Sequence, residues 1–280
     1  MHDNRCSSEN RNRRRLQDFE FSTNKSLCEP RERISSLVFR LAKNMNMEPS
    51  LPEIPERIII TYQKDIYETA KQLIDGERLD FWMYNECERP FCIGQYNDVS
   101  IGLGLFWLGA SAAAMTLEEA IACGAKKVFE IGRSAGLQPF LHQGDIIVVT
   151  EAIRDEGTSN HYLRRNVRVE SSRKLETKLV ENLDNVKAKY FVGQVWSTDG
   201  FYRETIQKYR KFKKKGILAV NMETSAIFAV SKYRSIEVAS GQVISDTLSE
   251  TGWSQSTDRQ PIEKKTKILL TSTLEAISQI

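Results

Sequence analysis

The stretch that most constrains this chain runs from Val128 to Tyr162. An apolar strand there ends in Gly132, Ala135 and Gly136, small residues that put few side-chain atoms between the backbone and a ligand. Such a run reads as the floor of a pocket. Gly144-Asp145 then turns the chain into a second β-rich segment, Ile146 to Val149, so the floor is followed at once by another buried strand. The stretch closes on the polar run Asp155-Glu156-Gly157-Thr158-Ser159-Asn160-His161-Tyr162.

Around it, strands and helices alternate. Ile58 to Thr61 is a buried strand and Ile66 to Ile74 has helical spacing. Val99 to Gly104 is a strand running into glycines, Ala110 to Cys123 is an Ala-rich helix stopped by Gly124, and Lys126 to Ile131 is the next strand. Farther on, Val167 to Asn185 carries one surface helix, Tyr190 to Val195 is a strand, and a basic helix reaches Lys215. Ile217 to Val220 and Glu237 to Ile244 are strands, the second stopping at Ser245-Asp246-Thr247, and a closing helix spans Ile262 to Ile277. The alternation predicts an α/β fold of three layers, a central sheet flanked by helices, with ligand groups at the strand ends. Gly102-Leu103-Gly104 lacks the rest of a dinucleotide fingerprint, so no such cofactor is expected.

Residues 1–53 read as a polar extension and 54–280 as the domain, with Pro49, Pro52 and Pro55 between them. The cluster Arg11-Asn12-Arg13-Arg14-Arg15 is explained by solvation, and Ile34 to Asn44 has the spacing of a short helix that packs on the core. Lys+Arg 40 against Asp+Glu 37 gives a net charge of +3, which makes no demand for nucleic acid or an anionic membrane and favours a small-molecule partner. Five cysteines without a Cys-x-x-Cys pair fit a reducing, cytoplasmic setting, and neither a metal site nor a membrane span is expected.

Three strand ends carry polar groups: Arg133-Ser134, Asn221-Met222-Glu223 and Ser245-Asp246. Each alone suits a helix cap or first turn. Together they offer more. A carboxylic acid in a partly closed pocket keeps a proton to donate, while a second carboxylate accepts hydrogen bonds from sugar hydroxyls. That is chemistry for a leaving base and a sugar.

In chain order, Gly132-x-x-x-Gly136-Leu137-Gln138, Gly144-Asp145, Asp155-Glu156-Gly157-Thr158-Ser159-x-His161-Tyr162, Ser197-x-Asp199-x-Phe201-Tyr202, Asn221-Met222-Glu223-x-x-Ala226 and Ser245-Asp246 resemble the nucleoside phosphorylase superfamily, which includes purine and uridine phosphorylases and methylthioadenosine-type nucleosidases. The resemblance covers Ile58 to the C-terminus. It implies a three-layer phosphorylase-like fold with a central mixed sheet, and a homo-oligomer, dimer or higher, in which a neighbour completes the pocket. It implies Met222 and Glu223 at the ribose, Phe201 and Ser245 at the base, and Asp246 as the acid that protonates a purine N7. It implies no cofactor, with inorganic phosphate as co-substrate only in a phosphorylase. His142 and His161 are candidates for a sugar-contacting imidazole.

The anion site departs from the family's pattern. Thr61-Tyr62-Gln63-Lys64-Asp65 replaces a Gly-Asp-Pro loop with its Arg, and Glu130 stands at another Arg position. Glu130, Gly132, Arg133 and Asp65 are thus the expected phosphate-or-water site, with Arg133 either pairing with Glu130 or binding an anion. Hydrolysis of a nucleoside, a purine in preference to a pyrimidine, is favoured narrowly, with Asp65 or Glu130 orienting the water. The alternatives are a phosphorylase whose anion site is rebuilt around Arg133, Lys64 and Arg89, and a non-catalytic nucleoside-binding relative.

Overall fold

Three consecutive isoleucines, Ile58 to Ile60, are apolar on both faces of a strand, a pattern that suits the interior of a covered sheet. In the computed structural model, which describes residues 29–35, 51–80 and 82–280, they form the middle of β1 (Arg57–Thr61). β1 lies in parallel between β4 (Val99–Leu105) and β5 (Lys127–Gly136). Antiparallel pairing extends the sheet from β4 through β3 (Phe91–Tyr96) to β2 (Glu77–Arg78).

On the other side of β5 the order is β9 (Ala219–Asn221), β8 (Tyr190–Thr198), β6 (Ile146–Asp155) and β10 (Glu237–Ser249). The short β7 (Val169–Glu170) joins β6, and β11 (Gly252–Ser254) joins β10. β10 also pairs in parallel with β5. The 11-stranded mixed sheet therefore curls until β5, β9, β8, β6 and β10 close a ring, and the candidate residues sit at one rim of it.

Strand alternation divides the core into two layers. Ile58, Ile60 and Val128 pack under α2 (Ala110–Ala122) and α6 (Thr224–Arg234), against Leu117, Ile227 and Phe228. Ile59, Phe129 and Ile131 face α1 (Lys64–Leu73), α4 (Arg173–Asn185) and α7 (Gln260–Ser278). α4 is more than a surface helix: Leu175, Leu179 and Leu183, four residues apart, are fully buried. The single turn α3 (Ser159–Tyr162) and the basic α5 (Ile206–Lys214) complete the set. No helix among the described residues is long and apolar enough to cross a membrane.

Two strands run beyond their apolar segments. β5 continues through its small residues to Gly136, pairing with β10 and β9, and β10 passes through Ser245-Asp246 instead of stopping there. Backbone ladders set these ends, and a ladder places no demand on side-chain polarity. In the N-terminal extension, residues 30–35 are helical and Ile34 is fully buried in the α2–α6 layer, so this part of the extension docks on the domain. The basic cluster and the rest of the helix expected to Asn44 lie outside the described residues.

Candidate active site

The ladder between β5 and β10 slips by one residue at the rim. Ile244 pairs with Ser134 and Asp246 with Ala135, which leaves Ser245 as the extra residue of a bulge. A bulge re-aims the side chains next to it. Here Ser245 and Asp246 both line a cavity of about 290 Å3 whose wall includes Arg133, Ser134 and Ala135 of β5. Asn221, Met222 and Glu223, between β9 and α6, form another wall, and Phe201 and Glu204 border the cavity from the loop after β8. Six of the nine expected site residues thus meet in one place: Asp246, Met222, Glu223, Phe201, Ser245 and Arg133.

Glu223 is almost fully buried, with each carboxylate oxygen fixed by a backbone amide. The N–H of Gly109 donates to Oε1 at 2.8 Å and that of Met222 to Oε2 at 3.1 Å. Gly109 has φ +91, a conformation that strains any residue with a Cβ, so glycine is what lets the chain aim this N–H at the carboxylate. Burial pushes the Glu223 carboxyl up to about 7; the Gly109 amide opposes the shift and the Glu130 carboxylate adds to it. The oxygens keep free lone pairs, which suit hydroxyl donors.

Asp246 receives hydrogen bonds on both oxygens, from Ser245 Oγ on Oδ1 and from Trp253 Nε1 on Oδ2 at 2.8 Å. The carboxyl plane is held from two sides. Beside it stands Glu204, whose carboxyl is pushed up to about 7 by burial and by the Asp246 carboxylate. Sequence reasoning passed over Glu204, though its place three residues after Phe201 in the same loop was a usable signal. Gln63, Leu108, Gln255 and Arg259 also line the cavity and carried no such signal.

Glu130 is a correction. Its side chain is fully buried beneath the cavity and does not line it. Tyr62 Oη donates to Oε1 and Thr224 Oγ1 to Oε2, each at 2.7 Å. Asn221 Nδ2 and Gln242 Nε2 both donate to Thr224 Oγ1, at 2.7 and 2.8 Å, which occupies its lone pairs and directs its proton to Glu130. Burial raises the Glu130 carboxyl, while bonds from Ser240, Tyr62 and Thr224 oppose the shift. Glu130 therefore touches neither an anion nor a water held in the cavity.

Arg133 pairs with neither expected partner. Three residues from Glu130 on a regular strand, it points to the opposite face. There it forms a two-pronged ion pair with Asp65 in the first turn of α1. Asp65 itself does not line the cavity, and neither does Gly132, which faces the Tyr62 ring. His142 is exposed beside Asp145, and His161 lines a different cavity with Tyr162 and Arg234. Lys64 lies outside the cavity, and Arg89 stacks on Trp107 at 4.7 Å. Among the described residues, no three His, Cys, Asp or Glu side chains gather to hold a metal ion.

Comparison with known proteins follows the same residues. The family model of the phosphorylase superfamily matches residues 65–275. A uridine phosphorylase of Thermococcus kodakarensis is 31% identical over 109 residues, which are 39% of this chain and 39% of that protein. A guanosine phosphorylase of Halorubrum lacusprofundi is 27% identical over 129 residues, 46% of this chain and 54% of that protein. The chain thus matches between about two-fifths and half of the length of these two relatives. The crystal structure of a uridine phosphorylase from Vibrio fischeri superposes with a TM-score of 0.74 at 27% identity, covering 81% of this chain and 93% of that one.

Proposed function

We propose, for a chain that belongs to the phosphorylase superfamily, that it cleaves the N-glycosidic bond of a purine nucleoside with water as the acceptor of the sugar. The observation that carries the choice of water is the Arg133–Asp65 pair: the guanidinium on the cavity wall is already engaged by the protein's own carboxylate.

In this reading Asp246 donates a proton to purine N7 as the C1′–N9 bond breaks, and the bonding electron pair leaves with the base. A base protonated at N7 departs as a neutral molecule rather than an anion, which lowers the barrier. Phe201 stacks on the base. Glu223, ionised, accepts hydrogen bonds from ribose hydroxyls and stabilises the positive charge that develops on the sugar, an interaction stronger in the transition state than in the ground state. Water adds to C1′ and gives up a proton to solvent. Glu130 supports the pocket from below by fixing Tyr62 and Thr224.

No cofactor enters this scheme. Among the described residues Cys87, Cys92 and Cys123 are free thiols, which supports a reducing, cytoplasmic setting. In the homo-oligomer that the resemblance implies, a neighbour would cover Leu108, which lines the cavity with 58% of its surface exposed. A second reading, phosphorolysis, is favoured by Arg259, an exposed arginine that also lines the cavity.

Turnover of adenosine, inosine, guanosine and uridine tests the purine assignment. Base is expected from purine nucleosides and not from uridine. Release from uridine alone would overturn it.

A further inference from the structure

A second cavity adjoins the first. It measures about 640 Å3, and Phe201 and Glu204 line both. Its other walls include Tyr202, Ile206, Leu248 and Trp253. Phe201, Tyr202, Ile206 and Trp253 are four of the nine large apolar side chains left exposed among the described residues. Their gathering around one chamber is a patch of the kind that marks a binding surface, unlike apolar residues scattered singly. The chamber is also linked to the proposed acid, because Trp253 in its wall donates the hydrogen bond to Asp246 Oδ2.

The chemistry of a purine edge says what fits across this junction. On adenine, the N7 acceptor and the N6 amino donor stand side by side, whereas a 6-oxo purine presents two acceptors there. If Asp246 gives its proton to N7, the neighbouring carboxyl, Glu204, faces position 6. An ionised Glu204 accepts from an N6–H and opposes a 6-oxo group. The second substituent on N6 then leads past Glu204 into the chamber.

We propose that the preferred substrate is a 6-aminopurine nucleoside carrying an apolar substituent on N6, with Glu204 accepting the N6–H and the chamber taking the substituent. This rests on the reading of Asp246 as the N7 donor. The burial of Glu204 and its nearness to Asp246, which raise its carboxyl to about 7, make the preference for 6-amino over 6-oxo bases strengthen as pH rises. Asp246 and Glu223 in the wall of the first cavity and Glu250 in the wall of the second are the other carboxyls lining these cavities, and Glu250 is paired with Arg210 at 2.8 Å. Arg259 is the cation lining the first cavity with Arg133.

The test is calorimetric binding of adenine, hypoxanthine and N6-benzyladenine to the full chain, with adenosine turnover measured on the same samples. N6-benzyladenine is expected to bind at least about tenfold more tightly than adenine, the gain from burying one aromatic ring. Leu248→Trp, which fills the chamber, should erase that gain and leave adenine affinity unchanged; Ile206→Trp serves the same purpose should the first variant fail to fold. Glu204→Gln should narrow the gap between adenine and hypoxanthine. Equal affinity for adenine and its benzyl derivative, or a gain that survives both filling variants, overturns the proposal. Adenosine turnover without a benzyl preference overturns only this inference. A benzyl preference without turnover supports the chamber and overturns the catalytic reading.

Discussion

Arg133 on β5 and Asp65 in the first turn of α1 form a two-pronged ion pair at the cavity, with Nη1 3.2 Å from Oδ1 and Nη2 bonded to Oδ2. The Arg133 side chain is 12% exposed and that of Asp65 54%, so the carboxylate covers the guanidinium from the solvent side. A planar guanidinium binds carboxylate and phosphate through the same fork of N–H groups; Asp65 occupies the Nη1–Nη2 fork, while Nε is buried without a partner among the described residues.

Removing the carboxylate should therefore reopen the fork. Asp65→Asn is expected to bind inorganic phosphate measurably by calorimetry, where the parent protein shows none under the same conditions. Equal phosphate affinity in the two proteins would mean that the pair does not guard the site.

Asp246→Asn keeps the size of the side chain and an oxygen for Trp253 while removing the transferable proton. Cleavage of adenosine should fall by roughly a hundredfold or more in kcat, with KM changed by no more than a few fold. An unchanged kcat removes Asp246 from the mechanism.

Glu223 gives two pH signatures. Its carboxyl must be ionised to accept ribose hydroxyls, so kcat/KM should rise with pH through about 7. Glu204 titrates in the same region, and the rise should persist in Glu204→Gln. For stability, the folded value lies above the ordinary 4.5, so the protonated form favours folding. That contribution is fully present below about 4.5 and is lost as pH rises through about 7. The melting temperature should fall from pH 5 to pH 8 and fall less steeply in Glu223→Gln, with Glu130 and Glu204 supplying the remaining slope in the same direction. Identical slopes would show that Glu223 does not carry the shift.

Glu130 separates a supporting role from an anion-site role. Glu130→Gln should leave kcat/KM within a few fold and destabilise the fold by about 1–3 kcal/mol, because its amide turns a donor toward a hydroxyl donor. Glu130→Arg, which places a cation in a sealed site already filled by Tyr62 and Thr224, should fail to give soluble folded protein. If Glu130→Arg folds and acquires phosphate-dependent turnover, the residue belongs to the anion site after all.

Much of the framework was legible because it rests on local pattern. Ile58 to Ile60, the Ala-rich α2 and the closing α7 announce buried strand, packed helix and cap through composition and period alone. The ring closure was not legible, since the β5–β10 pairing joins segments about a hundred residues apart and strand pairing leaves no local mark. At the site, Asp246, Glu223, Met222 and Phe201 were found through motif order. Arg133 does line the cavity, whereas Glu130, expected there from its place in the family pattern, is buried away from it, because odd spacing on a strand sends the two to opposite faces. Trp253 was missed because β11 is a three-residue strand whose place beside Asp246 depends entirely on the β10 turn.

In the proposed reaction water, not phosphate, takes the sugar. The most direct measurement is the identity of the sugar released from adenosine in phosphate-free buffer and in buffer with millimolar phosphate. Free ribose is expected in both, at the same rate. Ribose 1-phosphate formed only when phosphate is present would contradict this.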